Sequence, residues 1–419
     1  MTATPKISIR NAYMLLFASQ IVNIGFGLLA IFITLLADEI NLRPLEIGVI
    51  ISIFMVARAI SSGVVPDLSD KVGRRLILIV SLVFYACSTA LLGFARSFFW
   101  LFILRIIEGA SAGAVFPTAE ALLVDSVPMR DRGAWMGKYF TTFNFGFIIG
   151  PALGGILFSF GTDVLSLETL TAFSIPFLFT GFLGFTSLLS IIIFVKDIFK
   201  KDKKESIEEL ITDEIDDIPT SITPYFSSFL FIGVLSGFSI GLIIPIFTLH
   251  MTDAFLLDEG TVGFIFTISG SVALLVNYPA GKLSDKIERM QIVWIGMIFT
   301  GLAYIGVSLS TTLIAAIIFF IFRSTAFQAY LPAYRAFQAD KIPPLIRGKV
   351  MGRIQSAFNV GATLGPLIGA WIYELFVSQS MEILGYRFFG GGLPFLVAGI
   401  FGLIQVFIAV YILRSEKKV

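Results

Sequence analysis

The chain has 419 residues, 56% hydrophobic and 14% charged, with a formal net charge of +1. Ordinary soluble chains carry about 25% charged residues, and a mean hydropathy of +0.91 over the whole length excludes a soluble enzyme, a nucleic-acid-binding protein and a disordered chain. The near-neutral balance gives no global attraction to an acidic partner. One cysteine, Cys87, and one histidine, His250, leave no intrachain disulfide and no Cys or His cluster for a metal.

In chain order the apolar blocks read as twelve helices able to cross ~30 Å of hydrocarbon. They lie at about 11–36, 45–65, 76–95, 98–124, 133–160, 170–195, 224–250, 260–280, 291–310, 312–338, 347–375 and 389–413. The first is too long for the core of a cleaved signal peptide and reads as a retained span. Alternation puts both termini on one side. That side collects most of the 30 basic residues, while the other holds only Arg43, Arg96 and Arg387. The positive-inside bias therefore places both termini in the cytoplasm. His250 falls at the end of the seventh block and reads as an interfacial residue near the outer surface.

The longest polar stretch, 196–222, runs basic and then acidic. It reads as a solvated cytoplasmic linker between an N-terminal six-helix bundle (1–195) and a C-terminal one (223–419). The two halves repeat at an offset of 215. This carries Leu68-Ser69-Asp70-Lys71 onto Leu283-Ser284-Asp285-Lys286, Pro117 onto Pro332, and Asp125 onto Asp340. It also carries Arg132-Gly133 onto Arg347-Gly348 and Gly146, Gly150, Pro151 and Gly154 onto Gly361, Gly365, Pro366 and Gly369. The expected fold is thus an all-α integral membrane protein of 12 transmembrane helices in two pseudo-symmetric six-helix bundles. Parallel repeats of this kind are a transporter architecture, with the substrate site near the midplane between the halves.

The loop after the second span reads Asp67-Leu68-Ser69-Asp70-Lys71-Val72-Gly73-Arg74-Arg75. Gly73 suits a tight turn, and Asp70 can accept from arginine or cap the next helix. Asp125 and Arg132 bracket six residues after the fourth span, and Asp340 and Arg347 repeat the arrangement. Such acids and bases can form breakable pairs that latch the halves, or can simply serve as topology residues and caps.

On the Asp70-x2-Gly73-Arg74-Arg75 motif, its partial copy Gly281-x-Leu283-Ser284-Asp285-Lys286 and the Asp-x6-Arg pairs, the chain resembles the major facilitator superfamily over essentially its whole length. It departs by Pro66 where the leading glycine is usual and by Glu288 in place of the later glycine. The fifth span carries Gly146-x3-Gly150-Pro151-x2-Gly154-Gly155, which is similar to the motif marking drug–proton antiporters within the superfamily and so implies export. The eleventh span repeats it as Gly361-x3-Gly365-Pro366-x2-Gly369-Ala370, so packing inherited from the duplication is an alternative reading.

Ionisable residues inside spans are functional candidates by default. Arg105-x3-Gly109 looks like the superfamily's fourth-span arginine motif, implicated in proton coupling. Arg105 and Glu108 are three apart and can pair on one helical face. Burial favours the protonated carboxyl and Arg105 the ionised one, so Glu108 can serve as a proton carrier or as half of a static pair. The repeat register sets Glu108 against Arg323 and Glu120 against Arg335. Glu120 and Arg335 then suggest an inner gate across the halves, the alternative being separate pairing within each half. Arg58, in the second span, can pair with a carboxylate, snorkel or contact substrate. Gln20 and Asn23 in the first span are candidate cavity hydrogen-bonders. That span has no acid where many drug–proton antiporters have one, which leaves an anionic or zwitterionic substrate open.

These features predict a plasma-membrane transporter, acting as a monomer on small molecules. It exports amphipathic compounds in exchange for protons, with no cofactor beyond the proton gradient. A metabolite uniporter or symporter, and a transporter-fold sensor without flux, are the alternatives. No GxxxxGK[ST] pattern provides for ATP, and no nucleophile–base pair or His constellation suggests an enzyme.

Overall fold

Twelve long helices carry the chain in a computed structural model that describes residues 9–128, 131–196, 223–284, 286–343, 346–383 and 385–416. They are α1 (Ile9–Glu39), α2 (Pro44–Val72), α3 (Arg74–Leu92), α4 (Phe98–Ser126), α5 (Arg132–Ser159) and α6 (Ser174–Phe194), then α7 (Thr223–Phe255), α8 (Glu259–Ser284), α9 (Arg289–Leu309), α10 (Leu313–Lys341), α11 (Arg347–Phe376) and α12 (Leu393–Glu416). Among the described residues, eleven helices are long and apolar enough to cross a membrane. The twelfth, α11, opens on Arg347 and carries Arg353, Gln355 and Asn359, which dilute its hydropathy. The linker stretch 197–222 and Asp285 lie outside the described residues.

Helices run further than the apolar blocks, because backbone hydrogen bonding continues into water until a residue stops it. The second block ends at about 65, yet α2 continues to Val72 and stops at Gly73, whose φ of 102° suits glycine. Pro44 starts α2 at a position where no amide donor is needed, and the Glu46 carboxylate accepts from the Arg43 amide at 2.9 Å.

The chain divides into two compact units, one of Met1–Lys201 with Leu257–Thr267, the other of Asp202–Leu256 with Ile268–Val419. Within each, helices meet along glycine seams, since van der Waals packing rather than hydrophobic burial drives association in lipid. In the first unit α5 lies against α1 so closely that a Cβ at Gly150 would sit 2.4 Å from the Ile24 carbonyl oxygen. In the second unit α11 lies against α7 in the same way, a Cβ at Gly361 meeting the Val234 carbonyl oxygen at 2.1 Å. Large apolar side chains such as Trp100, Phe182 and Phe407 are exposed, as lipid-facing positions of a membrane helix must be.

The α11–α12 connection holds a feature that hydropathy does not register. Strands β1 (Ser380–Ile383) and β2 (Tyr386–Phe389) pair antiparallel, Glu382 opposite Arg387, with Gly385 at φ 82° in the turn. Arg387 Nε lies 3.2 Å from Glu382 Oε2 across the strands.

Candidate transport site

In the first unit, α4 brings Arg105 and Glu108 to one face three residues apart. Arg105 Nη1 donates to Glu108 Oε2 at 2.7 Å, and its guanidinium lies 4.1 Å from the centre of the Phe54 ring on α2. Glu108 is fully buried and Arg105 nearly so. Glu108 Oε1, Arg105 Nε and the Tyr85 hydroxyl are all buried without a hydrogen-bond partner. Tyr85, on α3, lies within electrostatic reach of both charges. The pair is therefore closed but under-satisfied, a carboxylate with one oxygen held and one idle.

Asn23 is enclosed in the same unit rather than lining an open cavity, and neither of its amide atoms has a partner. It sits on the α1–α5 seam, its Cβ 2.8 Å from where a Cβ on Gly146 would stand. Gln20 is half-buried, its Nε2 likewise unpartnered.

Arg58 and Glu120 are both half-buried. The Arg58 guanidinium lies 5.4 Å from the ring centre of Phe26 and 5.3 Å from that of Phe116. Its backbone is set by α4: a Cβ on Gly113 would stand 2.3 Å from the Arg58 carbonyl oxygen. Glu120 is within its electrostatic reach.

In the second unit the Arg323 guanidinium rests 5.2 Å from the Tyr304 ring centre and 5.1 Å from that of Phe320. Arg335 Nη2 donates to Gln355 Oε1 at 3.1 Å, and Gln355 Nε2 to Asn359 Oδ1 at 3.3 Å. A small, mostly apolar cavity among α7, α9, α10 and α12 is lined by Ile240, Met297, Phe327 and Tyr330, with Ser236 donating to Gln405 at 2.7 Å in its wall.

Both acids of the Asp-x6-Arg segments are paired within their own unit. Asp125 is bound by Arg74, Nη1 to Oδ2 2.5 Å, while Nη2 of the same guanidinium lies 2.9 Å from Asp70. The offset of 215 carries this bond onto Arg289 and Asp340, which are also paired. Each pair joins the start of one helix to the end of another within its own unit. Arg132 Nε is buried without a partner, the Arg347 side chain lies outside the described residues, and Arg75 donates to the Ile192 carbonyl at the end of α6, 2.6 Å.

The fifth-span motif has two jobs. Gly146, Gly150 and Gly154 face α1, and their copies Gly361, Gly365 and Gly369 face α7, so this part is packing common to both halves. Gly155, which the second copy replaces by Ala370, faces instead the backbone of Gly260, and the Pro151 carbonyl oxygen stands 2.6 Å from a Cβ on Gly263. Thr267 then enters the α5 ladder. The Ala152 amide donates to Thr267 Oγ1 at 3.0 Å, and that hydroxyl donates to the Ile148 carbonyl at 2.9 Å. The Thr267 hydroxyl thus bridges a backbone amide and a backbone carbonyl one helical turn apart on α5. The Gly260–Thr267 stretch belongs to the first unit.

His250 is enclosed by protein rather than exposed at the end of its helix. Helix α7 continues to Phe255, and the imidazole is fully buried, 5.2 Å from the ring centre of Phe395 and 5.6 Å from that of Phe389. Among the described residues no group of three His, Cys, Asp or Glu side chains is placed to hold a metal.

The sequence profile of the Major Facilitator Superfamily matches residues 15–231 and again 229–419. A protein named multidrug resistance protein MdtG, from Proteus mirabilis, is 28% identical over 379 residues, covering 87% of this chain and 89% of its own. The class H tetracycline resistance protein of Pasteurella multocida is 25% identical over 371 residues, 85% of this chain and 87% of its own. Among solved structures, an inward-facing, occupied bacterial homologue of the human lysosomal transporter Spinster superposes with a TM-score of 0.80 at 15% identity, covering 96% of both chains.

Proposed function

The chain belongs to the major facilitator superfamily, and from that premise we propose that it is a proton-coupled exporter of small amphipathic molecules, drugs among them. It works by alternating access in the plasma membrane, as a monomer with both termini in the cytoplasm. The printed names of relatives, multidrug and tetracycline resistance proteins, support export. The basic residues gathered on the loops that flank the termini support the orientation.

The observation that carries the coupling is the Arg105–Glu108 pair. A buried carboxylate bonded through one oxygen, with the other unpartnered, is held between two protonation states. Removing its arginine partner would leave an uncompensated buried charge. Opening the site to one side of the membrane admits a proton to the idle oxygen, and protonation frees Arg105. The energy source is the proton gradient, with no cofactor. The loop pairs Arg74–Asp125 and Arg289–Asp340 each act as a weak brace between two helices of one unit.

The test is efflux of a lipophilic fluorescent dye from energised cells expressing wild type or Glu108→Gln, with and without a protonophore. Efflux that both the protonophore and the substitution abolish supports the reading. Wild-type efflux indifferent to the protonophore removes the coupling. Uptake of an anionic metabolite is the second reading. It is favoured by the lack of an acid within 4.0 Å of Arg58 or Arg323 among the described residues.

A further inference from the structure

Arg58 and Glu120 are an ion pair left open. Among the described residues neither makes a hydrogen bond or a salt bridge within 4.0 Å, although each lies in the electrostatic reach of the other. Both are partly exposed, so the gap is reachable. Charges at membrane depth are costly and are normally paired or functional. Burial alone does not explain an acid and a base that stop short of each other.

The surroundings are specific. Phe26 on α1, Phe116 on α4 and Phe143 and Phe147 on α5 form a closed ring of contacts. Phe26 to Phe116 is 6.1 Å between centres, Phe116 to Phe143 5.9 Å, Phe143 to Phe147 6.4 Å, and Phe147 back to Phe26 6.0 Å. Phe143 and Phe147 are nearly parallel, at 3°. Phe26, Phe143 and Phe147 are partly exposed. Arg58 lies against two of the four rings, and Glu120 follows Phe116 by one helical turn on the same face of α4. An apolar aromatic platform therefore carries a cation at one place and an anion at another.

From this juxtaposition we propose that the Arg58–Glu120 gap is a two-point binding site for aromatic zwitterions, the anion on Arg58, the cation on Glu120 and the ring on the phenylalanine platform. The inference rests on the transporter reading above and names its substrate class. A pure cation entering the gap satisfies Glu120 and repels Arg58; a pure anion does the reverse. A zwitterion satisfies both and adds no net charge to a low-dielectric site.

The experiment is equilibrium binding to the detergent-solubilised full chain, without a proton gradient. It uses three probes on one fluorophore: Nε-dansyl-lysine (zwitterion), dansylcadaverine (cation) and dansylglycine (anion). Wild type binds the zwitterion about tenfold or more tighter than either of the others, equal to about 1.4 kcal/mol. Arg58→Gln removes that advantage and weakens the anion, leaving the cation unchanged or tighter. Glu120→Gln removes it and weakens the cation. Equal affinities for all three probes in wild type overturn the proposal without recourse to any variant. So does a zwitterion preference that survives both substitutions, or recovery of Glu120→Arg by Arg335→Glu, which would give Glu120 to a gate. A zwitterion preference in a protein that shows no proton-driven efflux upholds the site and overturns the export reading alone. Efflux without the preference does the opposite.

Discussion

Arg74 reaches from the first turn of α3 to Asp125 at the end of α4, Nη1 to Oδ2 2.5 Å, and the internal repeat reproduces the bond as Arg289 to Asp340. The side chains are partly solvated, 20% and 42% exposed in the first pair, so each bond is worth no more than ~1 kcal/mol. A double-mutant cycle on Arg74→Ala and Asp125→Ala, read by thermal unfolding in detergent, is expected to give ~0.2–1 kcal/mol of coupling. Arg74→Ala costs more than Asp125→Ala, because the same guanidinium also holds Asp70. Equal costs with zero coupling would show that the bond braces nothing.

The glycine seams give a sharper contrast. Gly150→Ala puts a methyl 2.4 Å from the Ile24 carbonyl oxygen and 2.4 Å from the Leu28 amide nitrogen, both backbone atoms that yield only if α1 and α5 separate. A loss of ~1–3 kcal/mol is expected, and Gly365→Ala, against Gly241 at 2.6 Å, behaves alike. Gly137→Ala, on the same helix α5 with nothing within 4 Å, is neutral or gains up to ~1 kcal/mol. Thermal unfolding of the three variants side by side decides it.

Those seams also show what the sequence could and could not reveal. The twelve spans and the repeat were legible because lipid demands continuous apolar runs and because duplication leaves one register across both halves. The Arg105–Glu108 pair was legible from helical spacing. The Arg74–Asp125 bond spans 51 residues, and no local rule selects Arg74 over Arg132 as the partner of Asp125. Once the first bond is known, the offset supplies the second. Arg58 could not be placed because its environment is assembled from rings on α1, α4 and α5. The enclosure of His250 was not legible because hydropathy ends a span where polar residues begin, whereas α7 and the residues around Phe389 and Phe395 surround the imidazole.

Asp258 offers a pH test outside the spans. Burial pushes its carboxyl up, but bonds from the Thr261 hydroxyl and amide outweigh this and hold it below the ordinary aspartate value. A depressed acid contributes stability that is present above its unfolded value and lost as pH falls through the folded one. Stability of the α8 start is therefore full near neutrality and declines below pH ~4. Asp258→Ala removes the cap at a cost of about 1 kcal/mol at pH 7 and flattens that acid limb. A variant whose unfolding midpoint keeps the wild-type pH dependence would show that Asp258 is not its source.

Thr267 tests whether the fifth-span motif is more than packing. Its hydroxyl bridges Ala152 N–H and Ile148 C=O, and Pro151 beside them has no amide with which to bond Phe147. Thr267→Ser keeps the hydroxyl and is expected to retain wild-type stability and efflux. Thr267→Val keeps the shape and leaves two backbone groups facing a methyl, costing ~1–3 kcal/mol if they stay apart. If they instead close into the ordinary helical bond, the unfolding midpoint holds while α5 straightens, and efflux falls with no loss of stability. Amide hydrogen exchange at Ala152 separates the two cases, protection dropping in the first and holding in the second. Wild-type efflux, stability and exchange in Thr267→Val would mean that the inserted hydroxyl contributes nothing, and that the motif reduces to the glycine packing it shares with α11.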